Sequence, residues 1–133
     1  MADPLEHLAE HDLLTGVFNR SRLVTELDRQ LSYSARYSRA GALLTLDIEN
    51  FKLANDTYGR AAGDVMLKAV SEILRARART TDVIARLGSD EFALILPEAT
   101  EEEALIVARD IRALLCERQL GAPIMVSIGI ASR

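Results

Sequence analysis

Three carboxylates stand where a β-sheet could bring them together. Asp47 closes the short apolar run Ala42-Leu43-Leu44-Thr45-Leu46, and Asp90 and Glu91 end the turn-forming stretch Leu87-Gly88-Ser89-Asp90-Glu91 between two further apolar runs. If those two runs form a hairpin beside the first, the three acids meet at one edge of the sheet. Carboxylates without a His or Cys cluster favour a hard cation such as Mg2+, bound through oxygen. The plain alternative is that acids in turns are simply solvated, and for an isolated acid that is the better reading. Spacing alone leaves both open.

The elements that must position these acids can be read from periodicity and breakers. Asp3-Pro4-Leu5-Glu6 has a capping aspartate, a first-turn proline and an acid at the capping-box position, so a short leading helix is expected within residues 1–12. Thr15-Gly16 marks a turn. Leu23, Val24, Leu27 and Leu31 repeat at helical spacing between about Arg20 and Tyr37. The run from Ala42 is a buried strand, residues 50–58 a short helix ending at Gly59, and a further helix starts near Asp64 with Met66, Ala69, Val70, Ile73 and Leu74 buried. Val83–Arg86 and Phe92–Leu96 read as the two strands of a hairpin, with Pro97 closing the second. Glu101–Glu117 is a helix with Ala104, Leu105, Ala108, Ile111 and Leu115 on one face and three acids in its first turn, at the positive end of its dipole. Ile124, Val126, Ile128 and Ile130 alternate with small or polar residues as a last strand. The order α-α-β-α-α-β-β-α-β is that of an α/β or α+β sandwich, helices on a mixed sheet.

Bulk properties narrow the function classes. The 133 residues suit one domain, and 49% hydrophobic with 27% charged residues supports a packed core rather than disorder. A net charge of −4 argues against general nucleic-acid or membrane binding. No apolar run is long enough to span a bilayer, and no signal-peptide pattern opens the sequence, so the domain is expected in the cytoplasm. The lone Cys116 falls on the predicted helix's apolar stripe and reads as a buried, inert thiol, in keeping with a reducing compartment.

Five blocks then carry a specific resemblance. Arg86-Leu87-Gly88-Ser89-Asp90-Glu91-Phe92 resembles the signature of the GGDEF family, with serine for the second glycine. Asp47-Ile48-Glu49-Asn50-Phe51-Lys52-Leu53-Ala54-Asn55-Asp56, and its continuation Thr57 to Asp64, resemble the family's upstream segments. Asp12-Leu13-Leu14-Thr15-Gly16-Val17-Phe18-Asn19-Arg20 is similar to its opening motif, and Val126-Ser127-Ile128-Gly129-Ile130-Ala131 to its late strand. The blocks stand in the family's order and are spread from Asp12 to Ala131, across nearly the whole of residues 1–133. The resemblance implies a central mixed sheet flanked by helices, like the palm of nucleotide cyclases and polymerases, with a ferredoxin-like core. It also implies a diguanylate cyclase, in which two GTP molecules condense to cyclic di-GMP and pyrophosphate in an antiparallel homodimer, each subunit holding one GTP.

Residue roles follow from the same resemblance. Asp47 and Glu91 would bind Mg2+, or Mn2+ in its place, through carboxylates, and Ile48 through its carbonyl. Asp90 would serve with Glu91 in catalysis. Asn55 and Asp64 would read guanine, whose N1–H and amine need acceptors. Phe51 and Lys52 would hold the β- and γ-phosphates, with Gly88 and Ser89 against the nucleotide. Arg79-Thr80-Thr81-Asp82 matches the position of an inhibitory site where the product cyclic di-GMP binds, Arg79 gripping phosphate or guanine. Each position also has an ordinary structural reading: Asp64 as a helix N-cap, Asn55 as a turn cap, Phe51 as core, Lys52 as a solvated cation, and Arg79 as a charge near a helix C-terminus.

Four departures from the family pattern bear on activity. Ser89 would disturb GTP binding if its position required a left-handed backbone or lay against phosphate. Glu49 and Arg60 replace an aspartate and a histidine, changes expected to be tolerated. The family continues past its late strand into a further helix and strand, whereas this sequence stops at Arg133. The expectation is therefore a domain truncated at its C-terminus, or one whose apolar face is covered by a second copy. Attachment to a sensor or other signalling domain is expected as well. The competing readings are a degenerate module that binds GTP or cyclic di-GMP without turnover, and a dimerisation element with no nucleotide role.

Overall fold

A computed structural model describes residues 9–118 and 124–132. Helix α1 (Arg20–Tyr37) is capped by Asn19, whose side chain accepts from the Arg22 N–H. Strand β1 (Gly41–Ile48) follows, then α2 (Phe51–Tyr58) and α3 (Arg60–Arg77). The hairpin of β2 (Val83–Arg86) and β3 (Glu91–Pro97) leads to α4 (Glu101–Glu117) and β4 (Val126–Ser132). In α4, Thr100 and Glu103 form a reciprocal capping box that draws the Glu103 carboxyl below its usual range through hydrogen bonds from Thr100. Of the leading helix expected over residues 1–12, only Ala9 and Glu10 are described as helical, and its predicted start lies outside the described residues.

The strands are ordered β2-β3-β1-β4. The α/β class is as expected, but the sheet is antiparallel in every ladder rather than mixed. Each helical crossover carries the chain past a neighbouring strand, so strands running the same way, β1 with β2 and β3 with β4, are never adjacent. Among the described residues the single parallel pairing is a bridge between Phe18 and Ala85.

Side-chain alternation sorts the sheet into two cores. Ala42, Leu44, Leu46 and Ile48 of β1 and Phe92, Leu94 and Leu96 of β3 pack against the buried stripes of α3 and α4. On the opposite face Ala93 and Ile95 meet Val83, Ala85 and Leu23, under α1. Strand β3 is therefore buried on both faces, which explains its unbroken run Phe92-Ala93-Leu94-Ile95-Leu96. Helix α1 covers only this half of its face, so Val24 and Leu31 of the predicted stripe stay exposed. A groove of about 210 Å3, lined by Leu27, Leu31, Leu43, Ile95 and Ala131 among others, runs beside it.

Two further expectations are corrected. Helix α3 starts at Arg60, not near Asp64. Gly59, at φ +90°, breaks the chain between two helices in a single residue, and α3 begins at once. Cys116 is exposed. The buried stripe of α4 is Ala104, Ala108, Ile111 and Leu115, and Cys116 lies one residue, or about 100°, further round the helix.

Candidate functional site

The decisive geometry is a strand register. Antiparallel pairing of β1 with β3 places Asp47 directly opposite Glu91, and the Ile48 N–H donates to the Asp90 carbonyl at 3.0 Å. Cross-strand partners share a face, so both carboxylates stand on the face away from the α3–α4 core, where Asp47 is exposed and Glu91 half-buried. The expected meeting of three acids is not formed: among the described residues no group of three or more His, Cys, Asp or Glu side chains is arranged to hold a metal. Asp90 precedes β3 and is engaged through its backbone. What remains is a facing carboxylate pair with the Ile48 backbone beside it. That donor set fits Mg2+, which is commonly held by one or two carboxylates and completes its shell with water and substrate phosphates.

Beyond β1, Asn50 adopts a left-handed conformation (φ 57°, ψ 26°) and makes no side-chain cap for α2. The first helical bond of α2 runs from the Ala54 N–H to the Asn50 carbonyl, so the N–H groups of Phe51, Lys52 and Leu53 have no intrahelical acceptor. The Phe51 side chain belongs to the core, and Lys52 is exposed.

Helices α2 and α3 meet through Asn55 and Gly63. A Cβ on Gly63 would overlap the Asn55 side-chain amide, which accounts for a glycine inside a helix. Asn55 Oδ1 is buried and has no hydrogen-bond partner. A buried acceptor without a donor is costly unless it serves a ligand. Asp64 follows Gly63 as the fifth residue of α3, half-buried, so it is not the helix N-cap.

The hairpin turn answers the backbone half of the question raised by serine. Neither Gly88 nor Ser89 has a positive φ, and a Cβ built on Gly88 meets nothing within 4 Å. Serine is therefore unstrained at position 89. The turn is held by a residue to which sequence reasoning attached no role. Arg86 donates from Nε to the Gly88 carbonyl (3.0 Å), from Nη2 to the Ser89 carbonyl (2.8 Å), and from Nη1 to Asp12 Oδ1 (3.2 Å). Asp12 also accepts from the N–H and Oγ1 of Thr15, at 2.9 and 2.7 Å. Partial burial would raise the Asp12 carboxyl, but the Thr15 hydrogen bonds and the Arg86 charge outweigh it and hold it below the usual carboxylate range. The available signal was that Asp12 and Arg86 each open a motif block.

Away from this edge, Arg79 and Asp82 close on each other. The Arg79 guanidinium donates to Asp82 Oδ1 (3.0 and 3.2 Å) and to the Pro97 carbonyl (3.0 Å), and the Arg79 N–H donates to Asp82 Oδ2. The Asp82 side chain is only 4% exposed, whereas that of Arg79 is 51% exposed. Helix α3 ends at Arg77, so Arg79 lies beyond its C-terminus in a turn of its own.

Residues 9–133 match the family model described as "Diguanylate cyclase, GGDEF domain". The chain is 37% identical to the diguanylate cyclase DgcM of Escherichia coli (strain K12), over 98% of its own length and 32% of that protein's. It is 39% identical to the diguanylate cyclase TpbB of Pseudomonas aeruginosa (strain UCBPP-PA14), over 94% of its length and 28% of the relative's. The chain thus spans about a third or less of these curated relatives. Among solved structures, the coiled coil and GGDEF domain of DgcB from Caulobacter crescentus in complex with c-di-GMP superposes with a TM-score of 0.93 at 30% identity, covering 97% of this chain and 72% of that one.

Proposed function

The chain belongs to the GGDEF family of diguanylate cyclase domains, and from that premise we propose that it joins two GTP molecules into cyclic di-GMP in a cytoplasmic homodimer with Mg2+. The observation that carries the proposal is the facing of Asp47 and Glu91 across the β1–β3 ladder, next to a helix start with free amides.

Asn55 and Asp64 receive the guanine edge. The support is the orphan Asn55 Oδ1, an acceptor in need of a donor such as the guanine amine, packed against Gly63, the residue before Asp64. Adenine has no N1–H to offer an acceptor, so the pair discriminates between purines. The amides of Phe51 and Lys52, at the positive end of α2, and the Lys52 ammonium hold the β- and γ-phosphates. Asp47, Glu91 and the Ile48 carbonyl would hold the divalent ion. When bound, it would neutralise charge on the triphosphate. Asp90 takes the proton of the attacking 3′-hydroxyl. That hydroxyl belongs to the GTP of the facing subunit, it attacks the α-phosphorus, and pyrophosphate leaves. Gly88 and Ser89 lie against the nucleotide, and the half-exposed Arg79, held by Asp82, receives the product as an inhibitor. An attached signalling domain would control the approach of the two subunits.

Chromatography of the protein incubated with GTP and Mg2+ tests this reading. Cyclic di-GMP should form and should fall at least about a hundredfold in Asp90→Ala, as loss of a positioned acid–base group costs. Binding of GTP without turnover by the wild-type protein would reduce the domain to a regulatory module. No binding of GTP or cyclic di-GMP would leave only a dimerisation role.

A further inference from the structure

We propose that Arg86 is a positioning residue, anchored by Asp12, that sets the hairpin turn so that the amide N–H groups of Ser89 and Asp90 form a paired donor for a nucleotide phosphate. The inference deepens the reading above and rests on it.

The argument is one of peptide geometry. Arg86 draws the carbonyls of Gly88 and Ser89 to one side of the turn, at 3.0 and 2.8 Å. Among the described residues all peptide bonds are trans, and in a trans peptide the C=O and N–H point in opposite directions. The N–H of Ser89 shares a peptide with the Gly88 carbonyl, and that of Asp90 with the Ser89 carbonyl. Both N–H groups therefore face away from the guanidinium. Among the described residues neither is donated to a backbone carbonyl, whereas the preceding Leu87 and Gly88 amides both go to Glu91. Two adjacent amides without acceptors, in a turn where a Cβ on Gly88 would meet no atom, are suited to an anionic oxygen.

The anchor explains why the residue is arginine. All three guanidinium nitrogens are used: Nε and Nη2 on the turn, Nη1 on Asp12. A planar fork can hold three acceptors in fixed directions, whereas an ammonium acts as a point charge. Asp12 is itself held in place. Its carboxylate closes a turn on Thr15, its N–H donates to the Val17 carbonyl at 2.7 Å, and the Thr15 carbonyl accepts from Arg75 Nη2 at 2.9 Å. Arg86 therefore ties the donor turn to a segment braced from α3.

The test compares wild type with Arg86→Lys and Asp12→Asn. It reads backbone amide resonances without nucleotide, melting temperature, and binding of GTP and of guanosine. We expect the Ser89 and Asp90 resonances to shift in Arg86→Lys while those of β1 and β4 stay in place. GTP affinity should fall roughly tenfold or more, as for loss of well-aligned hydrogen bonds to a charged group, and guanosine affinity should hold. Asp12→Asn should show the same pattern more weakly. Unmoved Ser89 and Asp90 resonances in Arg86→Lys overturn the proposal whatever the nucleotide does, as does an equal loss for GTP and guanosine. Should wild-type protein bind no GTP, the reading in the preceding section fails; the phosphate role assigned to the two amides then falls with it, and the resonances still report separately whether Arg86 sets the turn.

Discussion

Two residues define what single side chains contribute. Gly88 requires neither a positive φ nor clearance from any protein atom, so its lack of a side chain matters only to what lies outside the chain. Gly88→Ala should keep the wild-type melting temperature and lose GTP affinity; a drop in melting temperature with affinity intact would show that the glycine serves the fold. Asp12 makes the opposite kind of contribution. Its carboxyl titrates below the usual range in the folded protein, where Thr15 and Arg86 favour the charged form. The sign follows from linkage: the unfolded chain, with a carboxyl near about 3.9, takes up the proton first as pH falls. The stabilisation is therefore complete above that value and is lost as pH drops through the lower folded value. In denaturant titrations, the gap in unfolding free energy between wild type and Asp12→Asn should hold steady near neutral pH and shrink below about pH 4. A gap that widens in acid would contradict this assignment.

At the scale of elements, the contact of α2 with α3 joins packing to the proposed recognition of guanine. Asn55 fills the space that a Gly63 side chain would take, and its Oδ1 is buried without a partner. Gly63→Ala should cost about 1–3 kcal/mol, the usual penalty of overpacking. Asn55→Ala removes an unsatisfied atom and should change stability by no more than about 1 kcal/mol. The double variant should regain most of what Gly63→Ala loses, because the overlap disappears, yet it should bind GTP no better than Asn55→Ala. Urea denaturation and nucleotide titration of the three variants check both parts. Strictly additive stability losses would mean that the two residues do not compete for one space.

The whole molecule presents its candidate site on a sheet face rather than in a closed pocket. The facing acids stand on the side that α1 covers only over β2 and β3. An open face suits chemistry completed by a second subunit, each chain bringing one nucleotide. Specific activity should then rise with protein concentration and level off as dimers saturate. A flat profile, with light scattering reporting monomer throughout, would remove the dimer from the mechanism.

Sequence alone determined what depends on near neighbours. Helix α4 with its acidic first turn, the two strands around the signature turn, the apolar alternation of β4 and the five motif blocks are all written in residues a few positions apart, where one backbone preference or one helical repeat decides the outcome. Tertiary structure decided whatever depends on which elements lie side by side. The register of Asp47 against Glu91 spans more than forty positions and follows from the strand order β2-β3-β1-β4. The same holds for the grip of Arg86 on Asp12, and for the finding that no three-acid metal cluster forms among the described residues. The helix start was placed near Asp64, just after Gly63, because a glycine's local preference cannot show that an asparagine from the preceding helix needs the space. Cys116 was misplaced because a helical stripe has an edge, and only the packed neighbour shows where that edge falls.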